Sequence, residues 1–159
     1  MKRMPRPLVL AAAAALSVAG LSGCMELSEQ TTALQYAPSD GTQINVGGVK
    51  IANAILVSEG SGSPANLVAT VANETRQNAT VTISGEGLDA RITVQGNDAV
   101  NIGPEGDQQV RVASLNARPG EMVNVQVDAG GQPQPFVIPV VDGTLPEYAT
   151  LVPTPTATS

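Results

Sequence analysis

The chain has 159 residues, 42% hydrophobic, 14% charged and only 2% aromatic, with no His or Trp, one Cys and a formal charge of −6. Without His there is no Ser-His-Asp or Cys-His catalysis and no imidazole metal ligand, and a single Cys forms neither an internal disulfide nor a Cys-rich zinc site. The acidity and scarcity of stacking rings argue against nucleic acid as a partner, no cofactor is expected, and the length allows one domain with appendages.

Lys2, Arg3 and Arg6 form a positive leader, and Leu8 to Gly20 is apolar and Ala-rich. That run is short of the ~20 apolar residues of a membrane-spanning helix and fits the centre of a secretory signal. It ends at Leu21-Ser22-Gly23-Cys24, which resembles the lipobox of bacterial lipoproteins. Small residues at Ser22 and Gly23 let a peptidase approach, and the Cys24 thiol takes a thioether-linked diacylglycerol. Residues 1–23 are therefore expected to be a lipoprotein signal peptide. Residues 24–41 are expected to be an acylated Cys and a flexible Ser/Thr/Gln-rich tether, placing the protein on the extracytoplasmic face of the cell membrane. Each buried methylene adds about 0.8 kcal/mol, so two or three acyl chains, palmitate among them, anchor durably. Cleavage before Cys24 leaves five cations against 14 acids, a net −9. The scattered charges read as solubility.

From Thr42 the sequence breaks into short β-branched runs separated by Gly, Asn, Asp and Pro. Strands are predicted at Thr42–Val46 and, after Gly47-Gly48, at Val49–Ser58 with Val49, Ile51, Ile55 and Val57 on one face. Further strands are predicted at Asn66–Ala72, Thr80–Ser84, Ala90–Val94, Gln109–Leu115, Glu121–Asp128 and Pro135–Val141, with a turn-rich stretch around Val100 and Ile102. Pro135 and Pro139 lack amide donors, which predicts an edge strand or a bulge there. Arg118-Pro119-Gly120-Glu121 reads as a turn. Roughly seven to nine short strands at ten-residue spacing predict an all-β, immunoglobulin-like β-sandwich over residues 42–143. The buried Trp and Cys pair usual in such folds are absent, so the core must be aliphatic. Residues 144–159 read as a Pro/Thr-rich disordered tail, whose Thr/Pro content is similar to O-mannosylated segments of secreted actinobacterial proteins. Asn73-Glu74-Thr75 and Asn78-Ala79-Thr80 match a glycosylation pattern but read as turn and strand polarity.

Candidate chemistry is sparse. Asp89, Asp98, Glu105 and Asp107 sit near turns, yet no aromatic sugar platform accompanies them. Lys50, the sole Lys after the signal, falls in an alternating strand and reads as an exposed cation. The segment from Gly96 to Asp107 concentrates oxygen ligands of the kind calcium takes, but matches no EF-hand spacing and reads as a plain loop. No catalytic residue and no metal ligand is assigned, and the chain is not expected to be an enzyme.

The order of these features resembles the LpqE-type lipoproteins of actinobacteria, whose sandwich is related to that of periplasmic copper chaperones. The residues that carry the resemblance are the lipobox, Ile44 to Ala54, Leu67 to Asn73, Pro119-Gly120-Glu121 before Val123, Val125 and Val127, and Gly130-Gly131 before Val137 to Val140. The resemblance implies a lipid-anchored companion of the cytochrome bcc–aa3 respiratory supercomplex. Its copper-chaperone side implies Cu(I) held by His and Met, of which only Met25 and Met122 remain after the signal, so no ligand position carries over. A non-catalytic accessory or interaction module is thus expected, with a copper carrier or an envelope adhesion or ligand-binding protein as alternatives.

Overall fold

Strict alternation sets the strands. In Leu88–Val94 and Met122–Asp128 buried and exposed residues succeed one another along the run, the pattern of a strand with one face on a core and one in water. The computed structural model describes residues 40–153. Its strands are β1 (Thr42–Val46), β2 (Val49–Ser58), β3 (Ala65–Asn73), β4 (Ala79–Gly85), β5 (Leu88–Val94), β6 (Asp98–Ile102), β7 (Val110–Val112), β8 (Met122–Asp128) and β9 (Gln134–Val141), followed by a one-turn helix, α1 (Pro146–Ala149). The expected signal peptide and lipobox, with Leu21, Ser22, Gly23 and Cys24, and the rest of the chain up to residue 39 lie outside the described residues, as do residues 154–159.

The strands form the expected all-β sandwich. One layer runs β5-β4-β8-β9; the other holds β2 and β3, with β1 beside β2 and both β6 and β7 beside β3. The layers join where β9 pairs in parallel with β2, at Leu56–Val140 and Val57–Val141. The remaining strand pairings are antiparallel. On the far side the Gln108 amide, Nε2, donates to the Arg91 carbonyl of β5 at 3.1 Å, so the sheet is nearly closed. This contact partly covers the edge of β5, which pairs through its backbone with β4 alone. Gly47 and Gly48 turn β1 into β2 with φ of 57° and 79°, the two-residue hairpin geometry that glycine adopts most easily. Arg118–Glu121 closes as a turn with Pro119 at the second position and Gly120 at φ 90°, Glu121 N–H donating to the Arg118 carbonyl at 3.0 Å.

Ile51, Leu56, Leu67, Ile83, Ile92, Leu115 and Ile138 are fully buried between the layers, and Phe136 is the one aromatic among them. Burying each such side chain is worth about 1.5–3 kcal/mol, so aliphatic content alone supports the sandwich.

The structure departs from the sequence reading at five places. Asp98–Ile102, read as turn, is the strand β6, pairing Ala69–Ile102 through Asn73–Asp98 on β3. Asp, Asn and a positive-φ Asn97 disguise it as loop. The strand read at 109–115 shortens to Val110–Val112. Within β2 the register shifts between Ala52 and Ile55, where Asn53 takes φ 60°. This bulge reverses the parity: Val49, Ile51 and Leu56 face the core, while Ile55 and Val57 are buried outside it. Pro135 and Pro139 sit in an interior strand. Val140 N–H donates to the Glu121 carbonyl, so even-numbered amides of β9 face β8 and the proline positions face the side where β2 has not yet joined. Finally, residues 144–153 of the predicted tail carry α1 and fold onto the domain. The Asn66 amide, Nδ2, donates to the Leu151 carbonyl at 2.8 Å and Pro153 is buried.

Asn73 ties β3 to β5. Its Nδ2 lies 2.7, 3.2 and 3.0 Å from the carbonyls of Gln77, Val94 and Gln95, while its Oδ1 accepts from Thr75 N–H at 3.0 Å and Thr75 Oγ1 at 2.7 Å. The glycosylation-like pattern is a turn, as expected. Asn73→Ala strands buried carbonyls and is expected to cost about 2 kcal/mol, lowering Tm by about 8–15 °C. Thermal unfolding by circular dichroism checks this; a drop no larger than that of exposed Thr93→Ala would contradict it.

Candidate functional site

Two open clefts mark opposite ends of the strands. The larger, about 630 Å³, lies among the β1–β2, β3–β4 and β8–β9 turns and is lined by Gly47, Thr75 to Thr80, Ala129 and Gly130. The smaller, about 380 Å³, lies between the Pro119-Gly120 turn, the end of β9 and α1, and is lined by Asp40, Pro119, Gly120, Val140, Val141, Asp142, Leu145 and Tyr148. It is the better candidate because exposed apolar side chains gather beside it. Leu145 is 48% exposed on its rim, and Met122 (55%) and Val137 (36%) stand on the outer face of the neighbouring β8–β9 pair. Met122 is opposite Pro139, Asn124 opposite Val137 and Gln126 opposite Pro135, so this outer face sets apolar side chains among amides and is no part of the core.

The smaller cleft is shaped by two carboxylates. Tyr148 donates its hydroxyl to Asp40 Oδ2, joining the first described residue to α1. The hydrogen bond to Asp40 comes first, then partial burial and the negative charges of Asp40 and Glu147, and together they push the phenol up to about 12. Asp142 is held below the usual carboxylate range, chiefly by the Thr144 hydroxyl and then by the Thr144 N–H, which donates to Asp142 Oδ1 at 3.0 Å. Both acids thus hold the chain segment together; neither is presented as a free base.

The acids singled out in the sequence do not converge. Asp89 is exposed on β5. Asp98 Oδ1 accepts from Ala99 N–H at 2.8 Å and Asp107 Oδ2 from Asn101 N–H at 2.8 Å, while Asn101 Oδ1 accepts from Thr70 Oγ1 at 3.1 Å. Of the oxygen-rich segment 96–107, read in the sequence as a plain loop, residues 98–102 are β6, and only 103–107 are a loop, which folds back on the end of that strand. Among the described residues there is no group of three or more His, Cys, Asp or Glu placed to hold a metal ion. Lys50 is half-buried on β2, paired across to Asn45 and Ala72. Met122 is the sole methionine of residues 40–153 and stands alone as a soft donor there. Sequence reasoning passed over Asp40, Asn66 and Tyr148, because Asp40 falls in an apparent tether, Tyr148 in an apparent tail and Asn66 in a strand whose outer face looks solvent-exposed.

No family model and no curated protein matches the chain. Solved structures do. The apo PCuAC domain of PmoF2 aligns with TM-score 0.55 at 14% identity, over 65% of this chain and 98% of that one. The copper-bound PCuAC domain of PmoF2 gives TM-score 0.50 at 16% identity, and the apo PCuAC domain of PmoF1 gives 0.50 at 13%; each covers 64% of this chain and 98% of the other. The likeness is one of fold: this is a β-sandwich related in architecture to copper-chaperone domains.

Because its pKa is raised, Tyr148 contributes stability that is complete below pH 10 and lost as pH rises through about 12. Ultraviolet titration of phenolate formation, taken as the difference between the wild type and Tyr148→Phe, is expected to show a midpoint near 12 that Asp40→Ala brings back toward 10. A Tyr148 midpoint unmoved by Asp40→Ala would contradict the contact.

Proposed function

We propose that this chain is a non-catalytic, lipid-anchored interaction module of the cell envelope that uses a copper-chaperone-like sandwich as a docking scaffold, with the cytochrome bcc–aa3 supercomplex as its partner. The observation that carries the reading is the donor set. A copper carrier on this scaffold needs several soft ligands, and the sandwich offers one exposed thioether, Met122. What the scaffold does offer is three exposed apolar side chains, Met122, Val137 and Leu145, around a cleft, which supports a contact with another protein. Supporting the anchor is the succession in the sequence of a basic leader, an apolar run and Leu21-Ser22-Gly23-Cys24; supporting the supercomplex is the sequence resemblance to LpqE-type lipoproteins.

The fold likeness favours a second reading, a copper carrier in the manner of the PCuAC domains. It would use Met122 with Met25, the one other methionine after the signal, and possesses no imidazole to complete the site.

Gentle detergent purification of the respiratory supercomplex, with mass spectrometry of its subunits, tests the docking reading. The chain is expected among the accessory subunits, and Cys24→Ala is expected to release it into the medium and empty that position. Repeated absence while other accessory subunits remain, or membrane retention of Cys24→Ala, would contradict it.

A further inference from the structure

Three turns enclose the larger cleft, and they approach closely enough to fix its floor. A Cβ on Gly47 would lie 2.7 Å from the Ala129 carbonyl oxygen, and one on Gly48 would lie 2.6 Å from Thr75 Cγ2. The β1–β2 hairpin therefore rests directly on the β8–β9 and β3–β4 turns. Glu74 N–H also donates to the Gly48 carbonyl at 3.0 Å. A cleft built this way holds its shape before anything enters it.

The polar groups of its wall are used unequally. Acceptors of the β3–β4 turn are taken within the fold. The Thr75 carbonyl accepts from Asn97 N–H at 2.7 Å, the Gln77 carbonyl from Asn73 Nδ2 at 2.7 Å, and Asn78 Oδ1 from Gly96 N–H at 3.3 Å. The side-chain donors are not taken. Among the described residues the Arg76 guanidinium and the Gln77 carboxamide have no hydrogen-bond partner or ion pair, and Asn78 Nδ2 donates to nothing.

Charge follows the same bias. Among the described residues Arg76 is the one charged side chain in the wall, in a chain of 14 acids against eight cations. Glu74 and Asp128 stand next to the turns without lining the cleft, and Asp128 Oδ1 accepts from Gly131 N–H at 2.9 Å. The smaller cleft, at the other end of the strands, is lined by Asp40 and Asp142 and by no cation. An unneutralised guanidinium among amide donors suits an oxyanion, which it meets bidentately. A volume of about 630 Å³ exceeds what a lone phosphate or carboxylate fills. The rest of the wall offers carboxamides and hydroxyls and no aromatic ring, which suits a polar, hydroxyl-rich body.

We propose that this cleft binds a sugar carrying a carboxylate or phosphate group, with Arg76 on the oxyanion and the Gln77 and Asn78 amides on sugar oxygens. The site goes beyond the docking reading and stands at the opposite end of the strands from the smaller cleft, so each fails or holds without the other.

The test is an amide NMR titration of the full-length chain in a polyoxyethylene detergent, which carries neither charge nor sugar. Glucuronate, glucose 6-phosphate, glucose and inorganic phosphate are the separate probes. Saturable shifts confined to Gly47, residues 75–80 and Gly130 are expected with glucuronate, glucose 6-phosphate or both, and the one that binds identifies the oxyanion. Arg76→Gln is expected to weaken that binding about tenfold or more through loss of a charge-assisted pair, with Tm unchanged because the side chain is exposed. Asn78→Asp keeps an acceptor for Gly96 N–H but puts a carboxylate in the wall, and is expected to abolish binding. The proposal is overturned if neither charged sugar binds saturably, or if Arg76→Gln or Asn78→Asp binds as tightly as the unsubstituted chain. Glucose binding as tightly as the charged sugars would overturn the role of the oxyanion, and inorganic phosphate doing so would overturn that of the sugar.

Discussion

The two layers meet through aliphatic side chains, and the fold depends on how closely those can pack. Val, Ile, Leu and Ala furnish the contact, with Phe136 the one ring among them. No large anchor and no disulfide pins the sheets at a point, so cohesion comes from density along whole strands, where each atom pair contributes little and the sum is large. The margins must then be tied by other means. Asn73 ties one end through a single carboxamide, the short parallel pairing of β9 with β2 joins the layers, and Gln108 reaches β5 on the far side.

The same economy explains why the acids build no site. Asp98, Asp107, Asp128 and Asp142 each accept from a backbone N–H within six residues, and Glu121 accepts from Arg118 N–H across its own turn. These carboxylates close turns, the use for which Asp is favoured in loops. Asp40, Asp142 and Glu147 lie around the smaller cleft, where Asp40 and Glu147 both raise the Tyr148 pKa.

The strands were legible because period-two alternation of Val and Ile survives in β3, β4, β5, β8 and β9. Where local chemistry and tertiary role diverge, the sequence misleads. Asp98 follows a true turn at Asn97 and looks like part of it, yet begins β6, because pairing with β3 outweighs weak intrinsic propensity. One residue, Asn53, reverses the parity of β2 and moves Ile55 and Val57 to the other face, which no alternation count foresees. Of the candidate site, Met122 was visible as an isolated soft donor, whereas Asp40, Asn66 and Tyr148 were not. Their meaning arises from contacts across 108 and 85 residues, Tyr148 with Asp40 and Asn66 with Leu151, and a polar residue in a tail or tether carries no local sign of such a partner.

A fold shared with copper-chaperone domains does not bring their cargo with it, since function resides in side chains placed on the scaffold. Here the scaffold has kept its layers while its His-free, Met-poor sequence leaves one exposed thioether on β8, and a lone thioether in water competes poorly for Cu(I). The most direct measurement of this account is a Cu(I) titration of the full-length chain against a colorimetric Cu(I) chelator. Copper remaining wholly with the chelator is the predicted result; tight, stoichiometric transfer to the protein that disappears in Met122→Ala would contradict it.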